Sequence, residues 1–294
     1  MVNITGYSTA RYGTWYFLEQ HNLLFDAGDG VVANLRGKCG KIRHIFLSHA
    51  DRDHLGGLIQ LYQTIAQSDN TPKFYYPKDS GSIPALRDFL QKFDPHLPHC
   101  EWIAVEGGMH IEVARNLFVK VGENNHIAVA QGVAPELVKS LDFSLVETRR
   151  KLKPEFHKLP GQEIGRLREE KGEEHITVAE EHVLFGYSGD APSFDVERWQ
   201  GTEILIHEAT FLAPGDSSRG HCELGDVIRS AGRLDLKALI LGHISVRYKE
   251  DEIRPAILEG ARAGNIRFPI YALFPGDVVE DILSKPPVWS PLSE

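Results

Sequence analysis

Between positions 48 and 57 the chain reads Ser48-His49-Ala50-Asp51-Arg52-Asp53-His54-Leu55-Gly56-Gly57. Four side chains able to bind a cation (His49, Asp51, Asp53 and His54) fall within six residues, directly after an apolar run and before a helical one. A turn there lets alternate side chains converge, and the two glycines let neighbouring backbone pass close to them. Imidazole mixed with carboxylate suits Zn²⁺, Mn²⁺ or Fe²⁺ better than Ca²⁺, which takes oxygen alone. The competing assignment is a polar turn whose Asp53 caps a helix N-terminus. Three later runs weigh against it, because each is an apolar strand ending in a charged or histidine cluster: 183–190 (VLFGYSGD), 204–208 (ILIHE) and 238–243 (ALILGH). Histidine is also abundant, 14 in 294 residues. Outside these clusters His21, His44, His96, His99, His175 and His182 read as scattered surface imidazoles.

These clusters need elements to hold them. Apolar runs of strand length occur at 22–25, 42–48, 74–76, 102–105 and 117–121, each stopped by polar or glycine residues. Helical spacing appears at 55–68, where Leu58, Leu61 and Ile65 share a face, and again at 83–93, 224–231 and 253–263. Strand and helix alternate along the whole length with no repeat and no Ser/Gly linker, which gives one α/β domain over 1–294. Residues 281–294 form a proline-rich, irregular C-terminal tail, either a strap or a frayed end. In such folds functional groups gather where strands end.

Composition narrows the function classes. Hydrophobic residues make up 42% and charged residues 25%, which are globular values and exclude a disordered or fibrous chain. No apolar stretch approaches the roughly 18 residues of a membrane span. Three widely spaced cysteines (Cys39, Cys100, Cys222) argue against a disulfide framework and for a reduced, cytoplasmic protein. The net charge of −9 counts against tight, extended nucleic-acid binding. One segment runs the other way: 149–171 holds eight basic side chains against four acidic ones. It reads either as a strip that tracks a phosphate backbone or as a solvated helix face with Glu/Arg pairing.

The run 49–54 resembles the H-x-H-x-D-H signature of the metallo-β-lactamase superfamily, with Asp51 where the pattern has its second histidine. Phe25-Asp26-Ala27-Gly28, Ser188-Gly189-Asp190 and Gly242-His243 follow in the superfamily's order. Within it the chain is most similar to short-form tRNase Z (ribonuclease Z). Ile206-His207-Glu208-Ala209-Thr210 matches the HEAT box, and Arg219-Gly220-His221 follows it. His243-Ile244-Ser245-Val246-Arg247-Tyr248 is like H-x-S-x-R-Y, and 150–156 is like a lysine-rich segment of the plant-type enzymes. The likeness runs from about residue 5 to 280 and rests on the order and spacing of these motifs together.

The resemblance implies an αββα sandwich, two mixed sheets face to face with helices outside. It also implies two divalent metals bridged by Asp190. The second site takes Asp53, His54, Asp190 and His243. The first takes His49, Asp51 and Asp190 plus a mid-chain residue, which alignment on Ser140 assigns to Glu136. His126, ten residues upstream, is the alternative through a changed loop path. A carboxylate-rich first site shifts preference from Zn toward Mn, Fe or Mg. Asp51 alone does not imply inactivity, since H-x-D-x-D-H is similar to variants in hydrolase domains of bacterial DNA-uptake proteins.

The implied activity is metal-dependent phosphodiester cleavage that leaves a 3′-hydroxyl. Glu208 and His221 match positions of an oriented proton donor, Asp53 doubles as ligand and proton acceptor, and Arg247 neutralises phosphate charge. His207 reads as structural. The expected substrate is RNA (a tRNA precursor) or a small phosphodiester, and the expected assembly a homodimer. The residues 147–183 leave little room for a long flexible tRNA-gripping arm. Another hydrolase of the same fold, or a catalytically weak binding or assembly protein with a degraded first site, is the alternative.

Overall fold

The structure is a computed structural model, and it describes residues 2–65, 71–97, 100–213 and 220–291. His99, Arg219 and positions 66–68 of the expected helix lie outside the described residues. The strands are β1 (Ile4–Thr9), β2 (Gly13–Leu18), β3 (Leu23–Phe25), β4 (His44–Phe46), β5 (Lys73–Pro77), β6 (Glu101–Val105), β7 (His110–Ala114), β8 (Leu117–Glu123), β9 (Leu141–Leu152), β10 (Thr177–Tyr187), β11 (Thr202–Glu208), β12 (Ala238–Gly242), β13 (Ile270–Ala272) and β14 (Val278–Val279). The helices are α1 (Val31–Leu35), α2 (Arg52–Leu55), α3 (Leu58–Ile65), α4 (Ser82–Phe93), α5 (His126–Gln131), α6 (Gly161–Lys171), α7 (Glu173–Ile176), α8 (Leu224–Ala231) and α9 (Glu250–Ala263).

Two seven-stranded sheets form, in the orders β14-β1-β2-β3-β4-β5-β6 and β13-β12-β11-β10-β9-β8-β7. In each, antiparallel pairs give way to three parallel ones: β3 to β6 in the first sheet and β10 to β13 in the second. This is the αββα sandwich that the resemblance implies. Phe25, Phe46, Phe143 and Phe185 fill the space between the sheets. A second apolar cluster joins the first sheet to α3 and α4 through Leu58, Leu61, Ile65, Ile83 and Leu90. A third joins the other sheet to α8 and α9. Leu224, Val227, Ile228 and Ala231 are the buried residues of α8, at the i, i+3, i+4, i+7 spacing that puts one helix face on a sheet. Strands such as β2 and β12 are covered on both faces, so every residue in them is buried.

One part stands away from this core. The β9 residues 148–152 lie beyond the last β8 partner, and the β10 residues 177–182 precede the first β11 partner. Past their junction with the sheet, residues 149–152 pair with 177–180 as a two-stranded ribbon whose tip carries α6 and α7. No residue of α6 is buried. The basic segment 149–171 lies here, and five of its eight cations are in ion pairs: Arg149 with Glu147, Arg150 with Glu174, Lys151 with Glu180, Arg166 with Glu170 and Arg168 with Glu173. That is the solvated, self-paired arrangement rather than an open cationic strip. The described part of the C-terminal tail, up to residue 291, packs as a strap: Trp289 and Ile270 bond backbone to backbone at 3.0 Å, and the Trp289 indole N–H donates to the Ile266 carbonyl at 3.2 Å.

Candidate metal centre

The clusters meet at one end of the sandwich. His49, Asp51, Asp53 and His54 follow the C-terminal end of β4, with His54 inside α2. Asp190 follows β10, Glu208 ends β11, and His243 comes directly after β12. His126 opens α5, just past the end of β8. Crowding at this end shows in the glycines. A Cβ on Gly57 would sit 2.3 Å from the Gly28 carbonyl, and one on Gly28 would sit 2.2 Å from the Asp53 carbonyl. The loop carrying the ligands can cross the β3 exit only because both are glycine. His243 (φ 57°) and Asp26 (φ 55°) hold left-handed backbone without being glycine, a strain that the surrounding contacts must enforce.

Asp190 lies at the middle of the cluster and is 3% exposed. Its carboxylate oxygens stand 3.7 Å from His49 Nε2, 3.4 Å from His54 Nε2, 3.9 Å from His126 Nε2 and 3.3 Å from His243 Nε2. Asp51 Oδ2 is 3.7 Å from His49 Nε2 and 3.8 Å from His126 Nε2. Asp53 Oδ2 is 3.2 Å from His243 Nε2 and accepts the Arg11 backbone N–H at 2.8 Å. Two groups of ligating atoms, His49–Asp51–His126 and Asp53–His54–His243, are each contained within 4.8 Å.

Each imidazole is held by its other nitrogen. His49 Nδ1 bonds Ser48 Oγ at 2.9 Å, and His54 Nδ1 bonds Asp26 Oδ2 at 2.7 Å. His126 Nδ1 bonds the Gly220 carbonyl at 2.7 Å, and His243 Nδ1 bonds Thr210 Oγ1 at 2.9 Å. Every Nε2 therefore points inward. Those of His49, His54 and His126 are buried with no hydrogen-bond partner among the described residues. Three orphaned ring nitrogens aimed at one another across carboxylates are costly unless a cation takes their lone pairs. The donor set therefore fits divalent metal, as the fold implies.

Electrostatics agree. Burial works to raise the Asp53 carboxyl, yet the hydrogen bond with His243 and the nearby His54 hold it below the usual range. Asp190 is likewise held well below that range: burial opposes the charge, and His243 and His54 outweigh it. Burial drives His49 down to about 3. Burial opposes charge on His54 and His126 too, yet Asp190 and Asp26 lift the first and Asp51 and Asp190 the second, so the charged carboxylates favour positive charge between them.

A second arrangement adjoins the cluster. Glu208, buried at the end of β11, accepts the Ala191 and Cys222 backbone N–H groups on Oε1 and the Thr210 N–H and hydroxyl on Oε2. His221 Nδ1 bonds Glu208 Oε1 at 3.1 Å, and its ring stacks on His243 with centroids 5.2 Å apart. Burial disfavours the imidazolium, but the Glu208 carboxylate overrides it and lifts His221 to about 9. The Arg247 guanidinium lies 5.2 Å over the Phe211 ring, close to this corner. His207 faces away, with Nδ1 on the Glu208 carbonyl at 2.7 Å.

One expected ligand is displaced. Glu136 is exposed on a turn and joins neither ligand group, whereas His126 is buried within one. Ser140 Oγ donates to the Asn124 carbonyl at 2.8 Å, so this serine does sit beside the ligand loop. Helix α5 and the turn after it fill the fourteen-residue step from His126 to Ser140. An Asn-Asn-His turn directly after an alternating strand was the available signal. Sequence reasoning also left Asp26 without a role. It is fully buried and accepts from Ser48 N–H and Oγ, His54 and the Tyr187 hydroxyl.

The Beta-lactamase superfamily domain matches residues 21–244. A Ribonuclease Z from Ignicoccus hospitalis is 31% identical over 256 residues, covering 77% of this chain and 79% of that one. The chloroplastic tRNase Z TRZ2 of Arabidopsis thaliana is 24% identical over 270 residues, covering 87% of this chain and 71% of that one. The crystal structure of human short-form tRNase Z superposes with a TM-score of 0.57 at 22% identity, over 83% of this chain and 93% of that one, and shows the shared fold. Two candidate ligand groups at one end of the sandwich, the buried HEAT-box glutamate with its histidine, and these relatives agree: the chain belongs to the ribonuclease Z family of the β-lactamase superfamily, as a metal-dependent hydrolase.

Proposed function

We propose that the protein is a two-metal phosphodiesterase that cleaves a 3′-extended tRNA precursor and leaves a 3′-hydroxyl. One observation carries the reading: three orphaned, buried imidazole nitrogens converge on three carboxylates beside an independently oriented His221. His49, Asp51, His126 and Asp190 would hold the first ion, and Asp53, His54, Asp190 and His243 the second. The first set carries two carboxylates for two imidazoles, which favours Mn²⁺ or Fe²⁺ there alongside Zn²⁺. Ions bound in these sets supply Lewis acidity toward a phosphodiester and toward water.

The remaining work falls to the chain's own groups. His221 gives its Nε2 proton to the departing alkoxide, while the Nδ1 bond to Glu208 fixes the ring and keeps it charged at neutral pH. Glu208 is a positioning residue, itself locked by four hydrogen bonds from Ala191, Cys222 and Thr210. Asp53 takes a proton from the attacking side, and Arg247 neutralises phosphate charge. A catalytically weak binding protein with a degraded first site is the weaker reading, because His49, Asp51 and His126 come together.

The family resemblance supports a homodimer, which light scattering would test. No helix among the described residues is long and apolar enough to cross a membrane. The three cysteines are free and buried. Both features fit the proposed cytoplasmic setting. The central experiment pairs metal analysis with assays in Mn²⁺, Zn²⁺ and Fe²⁺ on a 3′-extended tRNA precursor and on bis-p-nitrophenyl phosphate. Two ions per chain and a 3′-hydroxyl product are expected. Turnover of the small diester alone would turn the reading away from tRNA, and a single ion at the His243 set would sink the two-metal claim.

A further inference from the structure

A cleft of about 500 Å³ opens on the chain segments that flank Arg11 and follow His243, and Tyr7, Tyr12, Val246, Tyr248 and Phe274 supply its apolar surface. Tyr12 is 59% exposed and Val246 48% exposed, so two large apolar side chains are left in water next to a buried centre. Two of its walls are tied to that centre. On one side the β1–β2 turn sends the Arg11 N–H to Asp53 Oδ2, and the Tyr12 N–H closes the turn on the Thr9 carbonyl at 3.0 Å. On the other, the chain leaves His243 through Ile244, which bridges to Thr9, and reaches Val246 and Tyr248 within five residues. Phe274 forms the third wall, with the Arg254 guanidinium 5.0 Å over its ring and the Gly276 N–H on Thr9 Oγ1 at 3.0 Å.

The charges define the occupant. Lys249 lines the cleft together with Glu250 and Asp277, and Glu250 is ion-paired with Arg254. That balance gives a second phosphate no net attraction. Aromatic faces with acceptors at the rim suit a neutral nucleobase, whose ring stacks and whose amino group donates. The phosphate's place is the centre itself. Arg247 lies between the two, 5.9 Å over Tyr248 on the cleft side and 5.2 Å over Phe211, whose ring meets His221 edge-on at 6.2 Å.

We propose that this cleft receives an unpaired nucleobase of the substrate, next to the phosphate being cut, stacked against Tyr12. The inference rests on the phosphodiesterase reading above and adds a base-binding site to it. The test uses a short unpaired RNA carrying 2-aminopurine at each position in turn, mixed with the metal-loaded protein in a stopped-flow instrument. Fluorescence should be quenched at one position, and the quench should disappear in Tyr12→Ala and survive in Tyr12→Phe. For RNA with its natural base there, Tyr12→Ala should raise KM about tenfold, within the range for loss of one base–aromatic stack. With an abasic nucleotide at that position, the same substitution should change nothing. Equal quenching by wild type and Tyr12→Ala, or an equal KM rise on both RNAs, would overturn the proposal. Cleavage without a Tyr12-dependent quench removes the cleft and leaves the phosphodiesterase reading. A Tyr12-dependent quench without cleavage does the reverse.

Discussion

The two ligand groups of the centre start from the same turn and are completed by different kinds of element. Asp53–His54 is completed by His243, which follows a fully buried strand of the second sheet. Its Asp53 is 12% exposed and pinned by the Arg11 N–H. His49–Asp51 is completed by His126, which opens a short helix, and its Asp51 is 42% exposed. A strand end is fixed by its neighbours on both sides, so the ligand it carries cannot drift. A helix inserted in a loop can carry its ligand ten residues along the chain and still deliver it to the same point. The second group is therefore the rigid half of the centre and the first the adaptable half.

Asp190 is where this contrast should vanish, since its oxygens reach His49, His54, His126 and His243 within 3.9 Å. Asp190→Ala should lose both ions, measured by plasma emission, with RNA cleavage at or below about one thousandth of wild type, the scale of losing a preorganised stabiliser of transition-state charge. Retention of one ion at full occupancy would show that the groups are not bridged.

The next largest effect lies beside the groups rather than in them. His221→Ala should lower kcat by about a hundredfold or more while both ions stay bound. His221 is lifted to about 9, so its proton is present below that pH and lost above it. Bound cations would offset the Asp190 share of that lift, so cleavage that uses this proton should fall as pH rises toward that region. Glu208→Gln removes the carboxylate that lifts the pKa, so the fall should move to lower pH. An unchanged rate and pH profile in His221→Ala would end the proton-donor assignment.

A paired substitution separates the two candidates for the first group. His126→Ala should release one ion of two, with binding there weakened by more than the roughly 10–100-fold typical of outer-shell changes. Glu136→Ala should leave both ions and the rate as they were, because that side chain is exposed away from the cluster. The opposite pattern would reinstate Glu136.

What the sequence made legible follows the same division. His49, Asp51, Asp53 and His54 stand out in the sequence because four side chains able to bind a cation in one turn need no long-range information. His243, Glu208 and Asp190 were readable because each ends an apolar strand, and strand ends in a parallel sheet lie at one edge. Glu136 keeps the family spacing to Ser140 but lies exposed, because helix α5 lengthens the step between His126 and that serine. Strands β1 and β2 went unread for a different reason. Their glycines, threonines and tyrosines break the apolar run, and the buried hydroxyls are satisfied in pairs such as Ser8 with Thr14 at 3.2 Å. Asp26 was visible as part of a motif, but its partners lie 22 to 161 residues away, beyond any local pattern.

Asp26 offers a graded test of the rigid half. It orients His54 through Nδ1 and, through Ser48 Oγ, reaches His49 as well. Asp26→Asn keeps the volume and removes the charge that holds the His54 tautomer. Metal affinity should fall by about 10–100-fold, chiefly for the ion on the Asp53–His54–His243 set, because His54 bonds Asp26 directly and His49 only through Ser48. Titration calorimetry with metal-free protein would resolve two sites, and equal weakening of both would deny the two halves their independence.

The smallest and most selective change converts the adaptable half toward the superfamily pattern. Asp51→His replaces a hard oxygen with an imidazole in the first group and leaves the second untouched. Three imidazoles and one shared carboxylate favour Zn²⁺ over Mn²⁺ more than the native two-and-two set does. Asp51 is partly exposed, so a larger ring can enter from solvent without repacking the core. Competition between the two metals should then shift toward zinc by only a few-fold, since in both metals the shared Asp190 and the orphaned nitrogens of His49 and His126 still provide most of the binding. Occupancy of the second site should not move. A shift at both sites would mean that Asp51 sets the charge of the whole centre, and the division into a rigid and an adaptable half would give way to a single coupled cluster.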